Sequence, residues 1–259
     1  MPDFAAVEEN LRTAMRFFAE ATGSGEVCAL PGAVALFSGL DYGVFNIALL
    51  DGRSGGTLEA TLAEVARYFK KRTLRWSFWL CEDLLDAHTR RRARQTFSDF
   101  GLRAISHPPG MMAPELLPPV RRLPAVECRP VADSASREVF AEITSVSFEI
   151  PTLVAHAVYT PERAWNGAYQ GFVGLVNGRA VSIAAIVPAA GALGIYSVGT
   201  LPLFRRQGYG EALMRAAVSE MRRRTGIERL VLQSTEAGYA LYRRMGFHDV
   251  TKFTVYLTK

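Results

Sequence analysis

The sequence has few residues of the kinds that bind metals or form disulfides. Its 259 residues include three cysteines and four histidines. Cys28, Cys81 and Cys128 are odd in number and widely separated, which favours buried thiols over a disulfide framework. The histidines show no paired ligand spacing, so we predict no metal site.

Long hydrophobic runs are also missing. A membrane helix needs about 20 consecutive apolar residues, and the longest apolar stretches are interrupted well before that length. The N-terminus has acidic Glu8 and Glu9 and no basic segment followed by an apolar one, as a signal peptide would have. We therefore expect a cytoplasmic protein with no membrane partner.

The excess of positive charge is small. Thirty Lys and Arg against 25 Asp and Glu leave a net charge of +5. Counting along the sequence gives 15 basic and 14 acidic residues before Ala125, and 15 and 11 from there on. Two arginine runs, residues 90–94 and 222–224, fall on predicted helices. We interpret them as solvated faces and predict no nucleic-acid partner, with nucleic-acid binding as the alternative.

Prolines divide the chain. Six of the 13 lie within seventeen residues: Pro108, Pro109, Pro114, Pro118, Pro119 and Pro124. Such a stretch is not expected to hold a regular helix or a central strand. We interpret it as an interdomain linker that separates a domain at 1–124 from one at 125–259.

Hydrophobic periodicity predicts helices and strands in both halves. In the second half, helices are expected at about 134–147, after Pro161, at 209–224 and at 236–245. Strands are expected at 171–177, 179–187, 192–201, 229–234 and 253–257. Asn177-Gly178, between the first two strands, is typical of a two-residue hairpin turn.

One segment has the pattern of an anion site, with a strand that ends in a glycine-rich turn and leads into an amphipathic helix. It contains Arg205-Arg206-Gln207-Gly208-Tyr209-Gly210. Glycines let the backbone approach a ligand, and the first N–H groups of a helix lack partners and carry the positive end of its dipole. The dinucleotide fingerprint is excluded because position 213 is Leu, and no P-loop sequence is present. By itself, Gly-x-Gly also fits a simple loop.

A second segment follows one helix and one strand later. It runs from Ala240 through Tyr242 to Gly246-Phe247. The Arg205-x-x-Gly208-x-Gly210 turn and this segment together resemble the GNAT acetyltransferase superfamily over residues 125–259. The resemblance implies an α+β fold with a GNAT-type mixed sheet flanked by helices, and acetyl-CoA as the cosubstrate.

The resemblance also implies roles for residues at matching positions. Backbone groups of Val198 and Thr200 would hold the acetyl and pantetheine portion, and Ser234 would lie where two parallel strands splay apart. The pyrophosphate would be bound by the turn and the helix start, namely Arg205, Arg206, Gln207, Gly208, Tyr209, Gly210 and Glu211. Tyr242 matches the tyrosine that acts as general acid toward the coenzyme A thiolate. The alternative is a tyrosine that only packs on the sheet.

An amine acceptor must also lose a proton. An alkylamine with a pKa of about 10.4 is neutral in about 1 molecule in 2500 at pH 7. Glu149, between the first helices of this half, is the candidate base, and a solvated carboxylate at a helix end is the alternative. Tyr196 and Ser197 are comparable candidates, and His156 is a weaker one.

The first half contains a related pattern. A strand at 76–80 and a helix with Phe97-x-x-x-Gly101 mirror the strand at 230–234 and the helix with Tyr242-x-x-x-Gly246. This predicts that the smaller N-terminal α/β domain is a degenerate GNAT-like copy, with Phe97 in place of the tyrosine and no complete Arg-x-x-Gly-x-Gly turn. A helix that simply ends at glycine is the alternative.

Together these features predict an acetyl-CoA-dependent N-acetyltransferase. Transfer would go directly to an amine on a small molecule or a peptide, because no Cys or Ser has a recognisable activating His. The main alternative is a coenzyme A-binding regulatory or scaffold protein without transfer activity. The sequence favours no particular acceptor and no particular oligomeric state.

Overall fold

Helices and strands alternate along the described chain, which the computed structural model covers at residues 2–52 and 56–259. Its helices are α1 (Asp3–Ala21), α2 (Leu58–Lys70), α3 (Ala87–Asp99), α4 (Ser134–Phe148), α5 (Thr152–Tyr159), α6 (Tyr209–Thr225) and α7 (Glu236–Arg244). Its strands are β1 (Glu26–Leu30), β2 (Ala33–Phe37), β3 (Ile47–Leu50), β4 (Ser77–Cys81), β5 (Leu102–Ser106), β6 (Pro109–Ala113), β7 (Glu127–Pro130), β8 (Gln170–Val176), β9 (Arg179–Ala189), β10 (Ala192–Thr200), β11 (Leu230–Gln233) and β12 (His248–Thr258).

The described strands form one mixed sheet. Its order is β1-β2-β3-β4-β12-β6-β11-β10-β9-β8-β7, and β5 pairs with β12 beside this path. The pairs β3–β4 and β10–β11 are parallel, and the other pairs are antiparallel. Helices α1, α4 and α5 cover one face, and α2, α3, α6 and α7 cover the other. The expected α+β class with a mixed sheet flanked by helices is confirmed.

The two halves repeat one order of elements. Three antiparallel strands, β1-β2-β3, lead through α2 to the parallel strand β4 and then to α3. In the second half β8-β9-β10 lead through α6 to the parallel strand β11 and then to α7. The repeated order is what the degenerate copy predicts for the first half.

The halves also exchange strands. β6 comes from the first half but lies between β11 and β12 and pairs with both. The second part of β12, from Phe253 to Leu257, pairs with β4 of the first half. Each half therefore completes its part of the sheet with a strand from the other half.

The proline-rich stretch contains a central strand, so our expectation for residues 108–124 was wrong in this respect. β6 begins at Pro109, and proline is compatible with the first residue of a strand. The carbonyl groups of Pro108 and Pro109 accept the N–H groups of Phe253 and Ser234, each at 3.0 Å. Within the stretch, Pro108 and residues 114–124 lack helix and strand. The division into domains at residue 124 stays a prediction.

Most predicted elements of the second half are confirmed to within a few residues. The Asn177-Gly178 turn has φ values of 51° and 76°, as a two-residue hairpin of this type requires. The prediction of an α-helix after Pro161 was wrong. Helix α5 ends at Tyr159, before that proline, and a short 3-10 helix, Glu162–Asn166, follows it.

Helix α1 belongs to the first half but packs largely on the second. Phe17 stacks on Tyr169 with ring centroids 4.1 Å apart, in one core cluster with Phe140 of α4. The side-chain amide of buried Asn10 donates to the carbonyl groups of Val187 and Ala189, each at 3.0 Å. The halves therefore share a hydrophobic core as well as a sheet.

Candidate active site

The parallel strands β10 and β11 separate after a short paired segment. Leu193 pairs with Leu230 and Gly194 with Val231, and β10 then continues to Thr200 without a further β11 partner in the described chain. A bulge between Tyr196 and Gly199 bends β10 away. The resulting cleft contains Val198 and Thr200 on its β10 side, where a linear ligand has access to the strand backbone.

The glycine-rich turn closes the outer end of this cleft. It begins after the short 3-10 helix Pro202–Phe204 and ends at Gly208, the N-cap of α6, whose φ is 96°. A Cβ atom at Gly210 would lie 2.9 Å from Thr200 Oγ1, and one at Gly208 would lie 3.0 Å from Pro124 Cδ. Both glycines are therefore needed for the close approach of the turn to its neighbours.

The polar groups of the turn hold its shape. Arg205 Nε donates to the Thr200 carbonyl group at 3.0 Å, and Gln207 Nε2 donates to the Leu203 carbonyl group at 2.9 Å. Arg205 and Arg206 are exposed. No side chain caps the N-terminus of α6 in the described structure. The first N–H groups of this 17-residue helix and the Arg205 guanidinium group therefore lie beside the cleft, an arrangement that suits a phosphate group.

Glu211 carries a negative charge at the start of α6, and Arg215 neutralises it. Its carboxylate forms an ion pair with Arg215, one helical turn later, with an N–O distance of 2.8 Å. Both side chains are largely buried. Tyr209 lies at the first position of α6, with its ring edge-on to Phe204 at 5.8 Å. We infer that Glu211 stabilises the helix start and that Tyr209 braces the turn, rather than either binding an anion itself.

Arg121 joins the turn, although the sequence analysis placed it in a linker. Its Nη2 donates to the carbonyl group of Arg206 at 3.0 Å. Its guanidinium group also lies within 4 Å of the position that a Cβ of Gly208 would take. The only signal in the sequence was a pair of arginines, Arg121 and Arg122, among prolines. Their position depends on the path of the chain from β6 back to the second half.

Ser234 lies directly after β11, at the far side of the cleft. Its side chain is buried, and its hydroxyl donates to the Thr235 carbonyl group at 2.8 Å. Its N–H donates to Pro109 of the inserted strand β6. The polar groups of Ser234 are thus engaged within the protein, and the residue shapes the cleft edge.

Tyr242 lies on α7, which begins two residues after β11. Its ring is half-buried and packs edge-on against Phe247, with centroids 5.8 Å apart. Burial raises the pKa of the Tyr242 hydroxyl to about 12, so the phenol stays protonated at neutral pH. Its hydroxyl has no hydrogen-bond partner in the described part of the chain. The group is therefore available as a proton donor.

The candidate bases differ in their surroundings. Glu149 is exposed and occupies the left-handed C-cap of α4, with φ of 55°. The end of α4 lies close to the cleft strand β10. A Cβ atom added at Gly199 of β10 would lie 2.9 Å from Oγ of Ser147, two residues before Glu149. This position fits a solvated helix-end carboxylate and also the rim of the cleft.

The other candidates are held by internal partners. The Tyr196 hydroxyl donates to Asn10 Oδ1 at 2.8 Å, and burial raises its pKa well above the ordinary value. The Ser197 hydroxyl lies 2.7 Å from that of buried Tyr169. His156 Nδ1 lies 2.8 Å from the Glu138 carboxylate, on the surface of α4 and α5. Tyr196 and His156 are therefore poorly placed to take a proton from an acceptor.

The two arginine runs contain several ion pairs. Arg90 lies 3.1 Å from Asp83, Arg224 lies 2.6 Å from Glu220, and Arg223 also pairs with Glu220. Within residues 2–52 and 56–259, no group of three or more His, Cys, Asp or Glu side chains is arranged to hold a metal ion. No helix in the same ranges has the length and apolarity of a membrane span.

Comparison with known proteins agrees with this geometry. Residues 137–247, which include the cleft, the turn and Tyr242, match the family model of the acetyltransferase (GNAT) family. Residues 137–247 are a GNAT acetyltransferase domain. The chain is accordingly an acetyltransferase. A search of curated protein sequences found no match.

Several solved structures are similar to this chain in fold over most of its length. A GCN5-related N-acetyltransferase from Kribbella flavida has a TM-score of 0.72 at 20% identity, over 100% of this chain and 96% of its own. A conserved protein of unknown function from Staphylococcus epidermidis has a TM-score of 0.63 at 15% identity, and the match covers 89% of this chain and 92% of that protein. A GCN5-related N-acetyltransferase from Sphaerobacter thermophilus has a TM-score of 0.57 at 18% identity, and the match covers 88% of this chain and 76% of that protein. These likenesses extend the fold to the first half.

Proposed function

We propose that the protein is an acetyl-CoA-dependent N-acetyltransferase that transfers the acetyl group directly to an amine of a small molecule or peptide. The observation that carries the proposal is the cleft where β10 diverges from β11, with the glycine-rich turn and the uncapped start of α6 beside it. Acetyl-CoA matches these features, because it joins a linear pantetheine arm to a pyrophosphate. The turn fits such a group, because no side chain caps the start of α6 in the described structure and the exposed Arg205 and Arg206 precede it.

Each part of the cleft has a proposed task in binding. The backbone of Val198 and Thr200 orients the pantetheine arm and the thioester. The N–H groups at the start of α6, together with Arg205, Arg206 and Arg121, neutralise the pyrophosphate. Gln207, Gly208, Tyr209 and Gly210 give the turn its shape, and Glu211 fixes the helix start. Ser234 defines the far wall of the cleft.

The chemical steps require one proton donor and one proton acceptor. Tyr242 donates its hydroxyl proton to the departing sulfur as the bond between the carbonyl carbon and the sulfur breaks. The amine nitrogen forms the new bond to that carbon and loses a proton. We propose Glu149, at the open rim, as the group that receives this proton, directly or through water.

The proposal also assigns unequal tasks to the two halves. The cofactor site would lie in residues 125–259, and residues 1–124 would support it through α1 and β6. One coenzyme A molecule per chain is the expected stoichiometry, because the first half lacks the complete turn. We also retain a cytoplasmic location, an absence of nucleic-acid partners and an absence of membrane partners as proposals.

A test of the function combines binding with turnover. The purified full-length chain is titrated with coenzyme A by calorimetry, and thiol release from acetyl-CoA is then followed with a panel of small-molecule and peptide amines. We expect saturable binding at one site per chain and thiol release with at least one amine. The double variant R205Q/R206Q, purified in the same way, is the control, because a contaminating enzyme would keep its activity.

The other outcomes are equally informative. Binding without thiol release across the panel would support a coenzyme A-binding regulatory or scaffold protein instead. No binding of coenzyme A would contradict the proposed site itself. Thiol release and coenzyme A binding that both survive unchanged in R205Q/R206Q would remove the two arginines from the proposed site.

A further inference from the structure

A second cavity lies where the two halves meet, away from the cleft. It has a volume of about 350 Å³ and lies between α3 and the strands β4, β5 and β12. None of its lining residues belongs to β10, to the glycine-rich turn or to α7. The cavity therefore has no part in the proposed acetyl transfer, and an inference about it does not depend on that proposal.

The floor of this cavity is apolar and rigid. It consists of Leu80, Ala93, Ala104 and Tyr256. The Tyr256 ring stacks on Phe97 with centroids 3.8 Å apart and an interplanar angle of 5°. Tyr256 is only 4% exposed, so the apolar floor is held in place by packing and a ligand would meet a small part of it.

The rim of the cavity is basic. Arg90 and Arg94 lie one helical turn apart on α3, and Lys252 reaches the rim from β12. Two of these cations have acidic neighbours, since Arg90 pairs with Asp83 at 3.1 Å and Lys252 with Glu82 at 3.5 Å. Arg94 forms no hydrogen bond or ion pair with the residues that the structure describes, so its guanidinium group is available to an anion.

A chain of hydrogen bonds crosses the same rim. The Thr254 hydroxyl donates to Glu82 Oε1 at 2.7 Å. Its oxygen lies 3.0 Å from His107 Nδ1 and must accept that hydrogen bond, because its only proton is already used. His107 therefore carries a proton on Nδ1, and its Nε2 is not used by Thr254. Nε2 can therefore accept a hydrogen bond from a hydroxyl group or a protonated oxygen of a ligand.

We propose that this cavity binds a phosphate monoester with a flat apolar body. The phosphate would take the place beside Arg94, Arg90 and Lys252, since guanidinium groups pair well with phosphate oxygens. The apolar body would face the apolar lining at Leu80, Ala104 and Tyr256. Because Lys252 comes from the second half and Arg94 from the first, the ligand would bridge the two halves.

The test uses phenyl phosphate as the probe and the full chain. Calorimetry is performed with wild-type protein, with R94Q and with R91Q as the matched control, because Arg91 lies on the same helix but does not line the cavity. We expect saturable binding that R94Q weakens at least about tenfold and that R91Q leaves unchanged. Inorganic phosphate is expected to bind more weakly than phenyl phosphate, and phenol not measurably.

A second variant separates this cavity from the cleft. R205Q/R206Q changes only the glycine-rich turn, so it should leave phenyl phosphate binding unchanged. Loss of binding in R205Q/R206Q but not in R94Q would place the ligand at the turn and overturn the proposal. Absence of saturable binding would do the same. Equal affinities for phenyl phosphate and inorganic phosphate would contradict a role for the apolar floor.

Discussion

The two halves share an order of elements, but their parallel strands end differently. In the first half, β3 pairs with β4 up to Leu49 and Trp79, and only Leu50 follows in the strand. In the second half, β10 continues for six residues beyond its last pair, Gly194 with Val231, and carries a bulge on the way. A cleft therefore opens beside β10 in the second half, where we propose that the pantetheine arm binds. The comparison teaches that the extension of one strand, and not the element order, creates the site.

The helices that follow the two parallel pairs also differ between the halves, in the burial and hydrogen bonding of one aromatic residue. Phe97 of α3 is fully buried and stacks on Tyr256. Tyr242 of α7, at the matching position, is half-buried, and its hydroxyl is unengaged within the described structure. In the first half the position serves packing, and in the second half it is suited to chemistry. Three predictions, each with its own substitutions, test how the two halves differ.

The largest effect is expected from G208A. Gly208 has φ of 96°, and an added Cβ would lie 3.0 Å from Pro124 Cδ, so the turn must shift. Strain of about 3 kcal/mol corresponds to a loss of affinity for coenzyme A of about a hundredfold, measurable by calorimetry. The control is G226A at the other end of α6, where φ is 69° and a Cβ meets no atom within 4 Å. Equal losses in both variants would show that helix stability, and not the turn, controls binding.

Exchanging the matched aromatic residues should give the next largest effect. Y242F removes the proton donor, and we expect turnover to fall at least about tenfold with little change in coenzyme A affinity. F97Y adds a hydroxyl to a fully buried position, so it should lower the melting temperature and leave turnover unchanged. Because burial holds the pKa of Tyr242 at about 12, wild-type turnover should show no loss from its deprotonation below about pH 10. Unchanged turnover in Y242F would remove Tyr242 from the mechanism.

The smallest effect is expected from R121Q. Arg121 is exposed and comes from the first half, so its attraction to a phosphate is screened by water. A contribution of about 0.5–1 kcal/mol predicts that R121Q raises the dissociation constant for coenzyme A about two- to fivefold. R122Q changes the neighbouring exposed arginine and should have no effect. Similar values for the two variants would show that only general positive charge matters there.

The sequence was sufficient for the elements that local patterns encode. The turn from Arg205 to Gly210, the hairpin at Asn177-Gly178 and helix α7 with Tyr242 all depend on residues close in the chain. The matching spacing of Phe97 and Tyr242 also pointed to the repeated order. Each of these signals concerns backbone conformation or helix periodicity, which short segments determine.

Features that depend on distant parts of the chain were not predictable in this way. The strand β6 begins at a proline and gains its partners from β11 and β12, more than a hundred residues later. Arg121 reaches the turn only because of that insertion. The engagement of Tyr196 by Asn10 likewise joins residues from opposite halves. No local pattern records such contacts, because they arise when the halves pack together.

The exchange of strands between the halves determines when the first half can complete its part of the sheet during synthesis. During synthesis the first half emerges before β12 exists, and the edge of β4 that β12 will cover is then open. Open strand edges invite pairing with other chains. The N-terminal half therefore lacks its closing strand until β12, the last strand of the described chain, has been synthesised.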